Sequence, residues 1–388
     1  MNTKEKDSKY IMHTYGRYDV ALKSGKGAVA YDEDGKKYID VSSGIGVNSL
    51  GYCDEGWVKA VSEQAGTIQH MSNYFYSSQA SDLAEKLCAL SGLSKVCFGN
   101  SGAEANECAI KIARKYSFDK YGAERNEIIT LRDSFHGRTV TTLSATGQDV
   151  FHNYFFPFTG GFKYVRANDT DALGEAVSDK TCAVMLEVIQ GEGGVNILDK
   201  DYVKALADFC AEKDILVICD EVQTGIGRTG RVFGFQNYGI SPDLVTCAKG
   251  LGGGLPIGGC LCSEKLKDVM GPSSHGSTFG ANPVVCAGAN YVLDTVSDEK
   301  FLGAVEEKGA YLEARLRKIK EVKNVRRMGL MVGIEIDGNA HDIAVKCVEN
   351  GLLIITAKDL LRMLPPLTVT KEELDEAAAI LEKTLKEK

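Results

Sequence analysis

The sequence lacks most of what would mark a membrane, secreted or nucleic-acid-binding protein. No apolar run reaches the roughly 20 residues of a membrane span. The start, Met1-Asn2-Thr3-Lys4-Glu5-Lys6-Asp7, is charged and leads into no signal-like apolar segment, so a cytoplasmic location is expected. Positive charge is not in excess. The 45 Lys and Arg stand against 53 Asp and Glu, a net charge of −8, which argues against nucleic acid or an anionic membrane as the main partner. Only 7 prolines occur, with no Pro- or Ser-rich tract and no internal repeat, so a second domain would pack against the first. The 12 cysteines contain no Cys-x-x-Cys pair. Cys97, Cys219, Cys247, Cys260 and Cys262 lie in apolar runs and read as small core residues, reduced in a cytoplasmic chain. Cys260 and Cys262 would share one face of a strand, but no second ligand pair follows. No metal site is expected.

What is present is an ordinary soluble composition, 44% hydrophobic and 25% charged, over 388 residues. That length suits a large α/β domain with a smaller one. Apolar runs of strand length recur at 96–98, 128–131, 183–186, 215–219, 244–247 and 259–262. Most are uninterrupted and not alternating, which predicts strands buried on both faces of a mainly parallel sheet. Helical patterns at 104–121 and 200–213 separate some of them. Toward the C-terminus, 301–322 predicts a long amphipathic helix, 332–336 a half-exposed strand, 352–355 and 362–364 two short strands, and 371–386 a closing helix. The run 31–39 predicts a strand, a turn and a strand. The expected organisation is a large domain over 51–290 and a small one built from both chain ends, 1–50 and 291–388.

Two runs end in complementary groups. Ile215-Leu216-Val217-Ile218-Cys219 leads into Asp220, and Leu244-Val245-Thr246-Cys247-Ala248 into Lys249. An acid and an amine at the ends of successive core strands suit pyridoxal phosphate. A lysine can hold its aldehyde, and an acid can keep its ring nitrogen protonated. Gly99-Asn100-Ser101-Gly102-Ala103-Glu104 follows a strand and opens a helix, with Ser101 and Glu104 spaced as a capping box. A phosphate fits such a helix start, and so does an ordinary cap. Ser134-Phe135-His136-Gly137-Arg138 offers a ring that can stack and a cation that can hold a carboxylate. His136 taken alone reads as a hydrogen-bonded loop histidine. Gly225-Ile226-Gly227-Arg228-Thr229-Gly230 fits the spacing of a dinucleotide-binding turn, which would make the chain an NAD-dependent oxidoreductase. However, 220–224 intervene after the strand and a poor helix start follows. Glu187, Glu192 and Arg362 cannot be paired from sequence, and Ser277 and Thr278 add two hydroxyls in a turn-like segment, suited to phosphate contact or to nothing.

Taken together, these motifs resemble the class III pyridoxal-phosphate aminotransferases, with the aspartate-aminotransferase-like fold (fold type I). Five motifs carry the resemblance: 101–106, 134–139, 220–225, 248–250 and 275–279. It implies a mainly parallel seven-stranded sheet and pyridoxal 5'-phosphate as cofactor. Lys249 would hold the cofactor and carry the proton, and Asp220 would pair with the ring nitrogen. Phe135 and Val222 would cover the two ring faces. Gln223 would bond the phenolic oxygen. Ser101, Gly102 and Ala103 would take the phosphate, joined by Thr278 of the neighbouring subunit in a homodimer. Within the class the wording is similar to N-acetylornithine aminotransferases of arginine biosynthesis. Ornithine, succinylornithine and 4-aminobutyrate enzymes share the scaffold. Arg138 and Ser277 would then meet the α-carboxylate end of acetylornithine, Arg362 the α-carboxylate of 2-oxoglutarate, and Glu192 would gate Arg362. Tyr15 and Tyr74-Phe75-Tyr76 would line the donor pocket. The chain departs from the pattern at 51–55, at Val188 where proline is usual, and at Ala281 where glycine is common.

Overall fold

The computed structural model describes residues 1–387. Strands β1 (Leu22–Lys26), β2 (Val29–Asp32) and β3 (Lys37–Asp40) come first. Then follow β4 (Lys95–Gly99), β5 (Glu127–Leu131), β6 (Phe162–Val165) and β7 (Thr181–Leu186). A short ribbon, β8 (Ile189–Gln190) and β9 (Asn196–Ile197), precedes β10 (Leu216–Asp220), β11 (Leu244–Cys247) and β12 (Gly258–Cys262). The C-terminal part adds β13 (Val322–Met328), β14 (Met331–Ile336), β15 (Leu352–Leu353), β16 (Ile355–Ala357) and β17 (Leu360–Met363).

The main sheet has seven strands in the order β4-β12-β11-β10-β7-β5-β6. Only β12 runs against its neighbours. Side chains alternate across a strand, and here each face feeds its own apolar cluster. Ile129, Val184, Val217 and Val245 point to one side. Ile128, Ala183, Met185, Ile218 and Leu244 point to the other, against the helix Gly102–Tyr121. Burial on both faces is why these runs show no polar alternation. Among the described residues, no helix is long and apolar enough to cross a membrane.

Both chain ends share a four-stranded sheet, β1-β2-β3-β15, in which Ile39 pairs with Leu352. The antiparallel set β13-β14-β17-β16 forms a separate four-stranded sheet. Three expectations fail in this part. The helix expected over 301–322 is Glu299–Leu316, and Val322 already opens β13. Ile319 and Val322 continue the apolar spacing past the helix end, which mimics another turn. The strand expected to be half exposed is buried, with Met331, Val332 and Ile334 all at 0%. Its other face is covered, since a Cβ on Gly333 would stand 2.9 Å from Val195. The run 352–355 divides between two sheets, β15 joining β3 and β16 joining β17.

Residues 225–230 form turns, followed only by a four-residue 3-10 turn, Gly234–Asn237. The dinucleotide reading therefore lacks its helix. Instead, the buried Arg228 donates to the carbonyls of Leu330 (3.0 Å) and Pro365 (2.6 Å), pinning the C-terminal part to the main sheet. Burial lowers its pKa to about 9. Glu221 braces the same turn. It accepts from Thr224 Oγ1 and from the N–H groups of Gly234 and Phe235, each at 2.7 Å.

Burial pushes the Glu221 carboxyl up to about 7, against the pull of those three donors. An acid that holds its proton more tightly when folded contributes stability that is fully present below its unfolded pKa. That contribution is lost as pH rises through the folded value. Urea unfolding at about pH 5 and about pH 8 should show a loss on the order of 3 kcal/mol from this group, a loss missing from Glu221→Gln. The departure at Ala281 also has a physical reading. Its φ is +62°, a left-handed conformation that costs a Cβ-bearing residue about 1–2 kcal/mol. Ala281→Gly should raise the unfolding free energy by about 1 kcal/mol, read from the denaturation midpoint.

Candidate functional site

Strands β10 and β11 lie parallel with Asp220 beside Thr246, so their C-terminal ends open on the same side. Asp220 is the last residue of β10, and Lys249 follows β11 in a short 3-10 turn with φ +43°. Both line a cavity of about 440 Å³, together with Ser101, Gly102, Ala103, Phe135, Val222 and Gln223. Strand ends in a parallel sheet gather residues distant in sequence, which makes this edge the usual place for a binding site.

Asp220 is buried yet fully engaged. Its Oδ2 accepts from Asn106 Nδ2 and meets His136 Nδ1, both at 2.8 Å. Its Oδ1 accepts from the Val222 N–H at 3.0 Å. Asn106 is itself fixed, donating to the His136 carbonyl (2.7 Å) and accepting from Thr246 Oγ1 (2.7 Å). The His136 Nε2 is buried with no partner. Glu187 faces the same cavity and accepts from the Phe135 N–H at 2.9 Å. Burial, then the Asp220 charge, pushes the Glu187 carboxyl well above its ordinary range. Burial also lowers the Lys249 ammonium below its ordinary value. The amine is therefore easier to deprotonate than a surface lysine.

The helix Gly102–Tyr121 points its N-terminus at the cavity. The first N–H groups of a helix have no partner within it, and the helix dipole favours an anion there. Gly102 is needed for this approach, since a Cβ would come within 2.7 Å of Val222. The expected capping box forms by half. Ser101 Oγ accepts from the Glu104 N–H, but the Glu104 carboxylate turns back to the N–H of Asn100 at 2.7 Å.

Arg138 lines the cavity mouth with its guanidinium 4.0 Å from the Phe151 ring centre. Ser277 accepts from Asn100 Nδ2 at 3.0 Å, just outside the lining. Arg362 is buried and bound to Glu192 by two contacts, of 2.7 and 3.1 Å, and to Gln223 Oε1 at 3.1 Å. Against burial, which raises it, the Arg362 charge holds Glu192 below its ordinary pKa. Thr278, Tyr15, Tyr74, Phe75 and Tyr76 lie on this chain's surface and do not line its cavity. Sequence reasoning included Asn106 in the 101–106 motif but gave it no role, and gave Glu187 no place. The signal for Asn106 was present, an amide on the apolar face of a helix beside Ala105 and Ala109.

The class-III aminotransferase family profile matches residues 10–385. An acetylornithine aminotransferase from Haemophilus ducreyi is 50% identical, with 99% of this chain and 98% of that protein covered. The N-acetylornithine aminotransferase structure from Stenotrophomonas maltophilia is 36% identical with a TM-score of 0.85, covering 97% of both chains. The ornithine aminotransferase of Toxoplasma gondii, described with partial PLP occupancy at its active site, is 33% identical with a TM-score of 0.93, covering 98% of this chain and 93% of that one. By sequence and by fold, the chain belongs to the class-III aminotransferases.

Proposed function

We propose that this enzyme moves the side-chain amino group of N2-acetylornithine to 2-oxoglutarate, giving N-acetylglutamate 5-semialdehyde and glutamate, with pyridoxal 5'-phosphate as cofactor. The observation that carries the cofactor is the pairing of Lys249 and Asp220 at adjacent strand ends in one cavity. The donor rests on full-length relatives named for acetylornithine. The cavity's chemistry fits the cofactor. It offers an anion-binding helix start at one end, a fixed carboxylate and an amine of lowered pKa. Pyridoxal phosphate, once bound, supplies an aldehyde for amine exchange and a ring that takes up electron density.

The chain's residues then divide the work. Lys249 holds the cofactor and carries the proton to and from the substrate carbon that bears the amine. Asp220, braced by Asn106, His136 and the Val222 N–H, keeps a proton on the ring nitrogen. Phe135 and Val222, both in the cavity lining, would cover the ring faces and exclude water. Gln223, also in the lining, would hold the phenolic oxygen. Ser101 and the N–H groups of Gly102 and Ala103 hold the phosphate. Thr278 reaches the phosphate of a second subunit, so the working unit is a homodimer. The exposed Tyr74, Phe75, Tyr76 and Phe279 support an interface there, since Asn73 ties their two segments together through the Ser277 and Gly280 carbonyls. Arg138, with Ser277 nearby, takes the α-carboxylate of the donor. Tyr15 lines the donor pocket. Arg362 takes the α-carboxylate of 2-oxoglutarate.

Glu192 neutralises Arg362 while no dicarboxylate is bound. A buried cation left alone costs about 3–5 kcal/mol, so this pairing lets the donor half-reaction proceed. Glu192→Ala should shift the ratio of reactivity between monocarboxylate and dicarboxylate substrates. An unchanged ratio in single-turnover measurements would rule the gate out.

The purified protein should carry the yellow absorbance of lysine-bound cofactor, and Lys249→Ala should lack it. Adding N-acetylornithine without an acceptor should discharge the colour. A band that survives N-acetylornithine but yields to ornithine, succinylornithine or 4-aminobutyrate moves the donor. Absence of any band with added pyridoxal phosphate overturns the role given to Lys249.

A further inference from the structure

Outside the cavity lining, between the main sheet and the helix Gly102–Tyr121, three potential metal ligands converge. Cys97 on β4, Cys108 on the helix Gly102–Tyr121 and His275 place one ligand atom each within 4.8 Å of the others. Cys260 is the cross-strand partner of Cys97, and its thiol meets that of Cys108. All these thiols are free. Cys108 is buried, whereas Cys97 and His275 are partly exposed in the single chain. In a tetrahedral zinc site with bonds of ~2.0–2.3 Å, neighbouring ligand atoms stand roughly 3.3–3.8 Å apart. Side-chain rotation of about 1 Å therefore closes the observed cluster.

One group opposes closure. Lys111, one turn after Cys108, places Nζ 3.1 Å from His275 Nδ1 and 2.7 Å from the Ser274 carbonyl. The ammonium occupies the ring's Nδ1 and repels a second cation.

We infer that Cys97, Cys108 and His275, with Cys260 or a water as fourth ligand, form a site for one thiophilic divalent cation of the zinc class. On binding, the cysteine thiols that become ligands release their protons to solvent, and Lys111 swings off the imidazole. The ligands come from three segments around the cradle 99–104: the strand before it, the helix after it, and the loop whose Ser277 accepts from Asn100. Occupancy therefore ties the 275–278 loop to the strand and helix. This inference does not depend on the proposed reaction.

Cadmium is a direct probe, because thiolate bound to it absorbs in the ultraviolet. Titrating the reduced, full-length protein with Cd²⁺ should give one tight equivalent per chain, displaced by Zn²⁺. Cys108→Ser should lose it. Because Cys108 is buried, His275→Ala supplies a second test and should weaken binding at least tenfold. Lys111→Ala should tighten it by about tenfold or more, since a like charge leaves the site. The inference is overturned if no stoichiometric thiolate band forms, if the band is unchanged in His275→Ala, or if Lys111→Ala weakens binding.

Discussion

A carboxylate inside a folded protein must be surrounded by donors, and in this molecule that requirement organises the site. Asp220 draws in an amide from the helix Gly102–Tyr121, a ring nitrogen from the 134–138 loop and the N–H of its own turn. Through Asn106 it is also linked to Thr246 on the next strand. Four segments far apart in the chain are thus held by one charge. The cost of leaving any of these buried groups unpaired, about 1–3 kcal/mol each, keeps the set together. Lys249, three residues beyond Thr246, inherits its position from the same register.

Much of the large sheet was legible because strands buried on both faces leave continuous apolar runs. Val184, Met185, Ile218 and Leu244 could hardly belong elsewhere. The C-terminal part was less legible for a related reason. Glu335 made β14 look half wet, but that residue pairs with Arg326 while the rest of the strand is covered. Nothing in 332–336 says that Val195, more than a hundred residues earlier, packs over Gly333.

Residues whose local sequence is distinctive could be singled out early: Lys249, Asp220 and Arg138 were, and all three line the one cavity. Residues that act through tertiary neighbours could not. Asn106 and Glu187 gain meaning only when the loop 134–138 is laid against them. The cysteine cluster is the sharpest case. The pair visible in sequence was Cys260 and Cys262, along one strand. The cluster that forms runs across strands, because β12 lies antiparallel to β4 and sets Cys260 beside Cys97.

The sheet shared by both chain ends bears on how the molecule is made. β3 hydrogen-bonds along β15, and the Val41 carbonyl accepts from the Leu364 N–H at 2.6 Å. At a ribosomal pace of ~5–20 residues per second, β3 waits roughly 15–60 seconds for that partner to emerge. Throughout that interval a finished hairpin stands with an open edge, the kind of surface that other chains can pair with. The seven-stranded sheet, complete once β12 has emerged, can form during synthesis, but the first strands to leave the tunnel are among the last to be sealed.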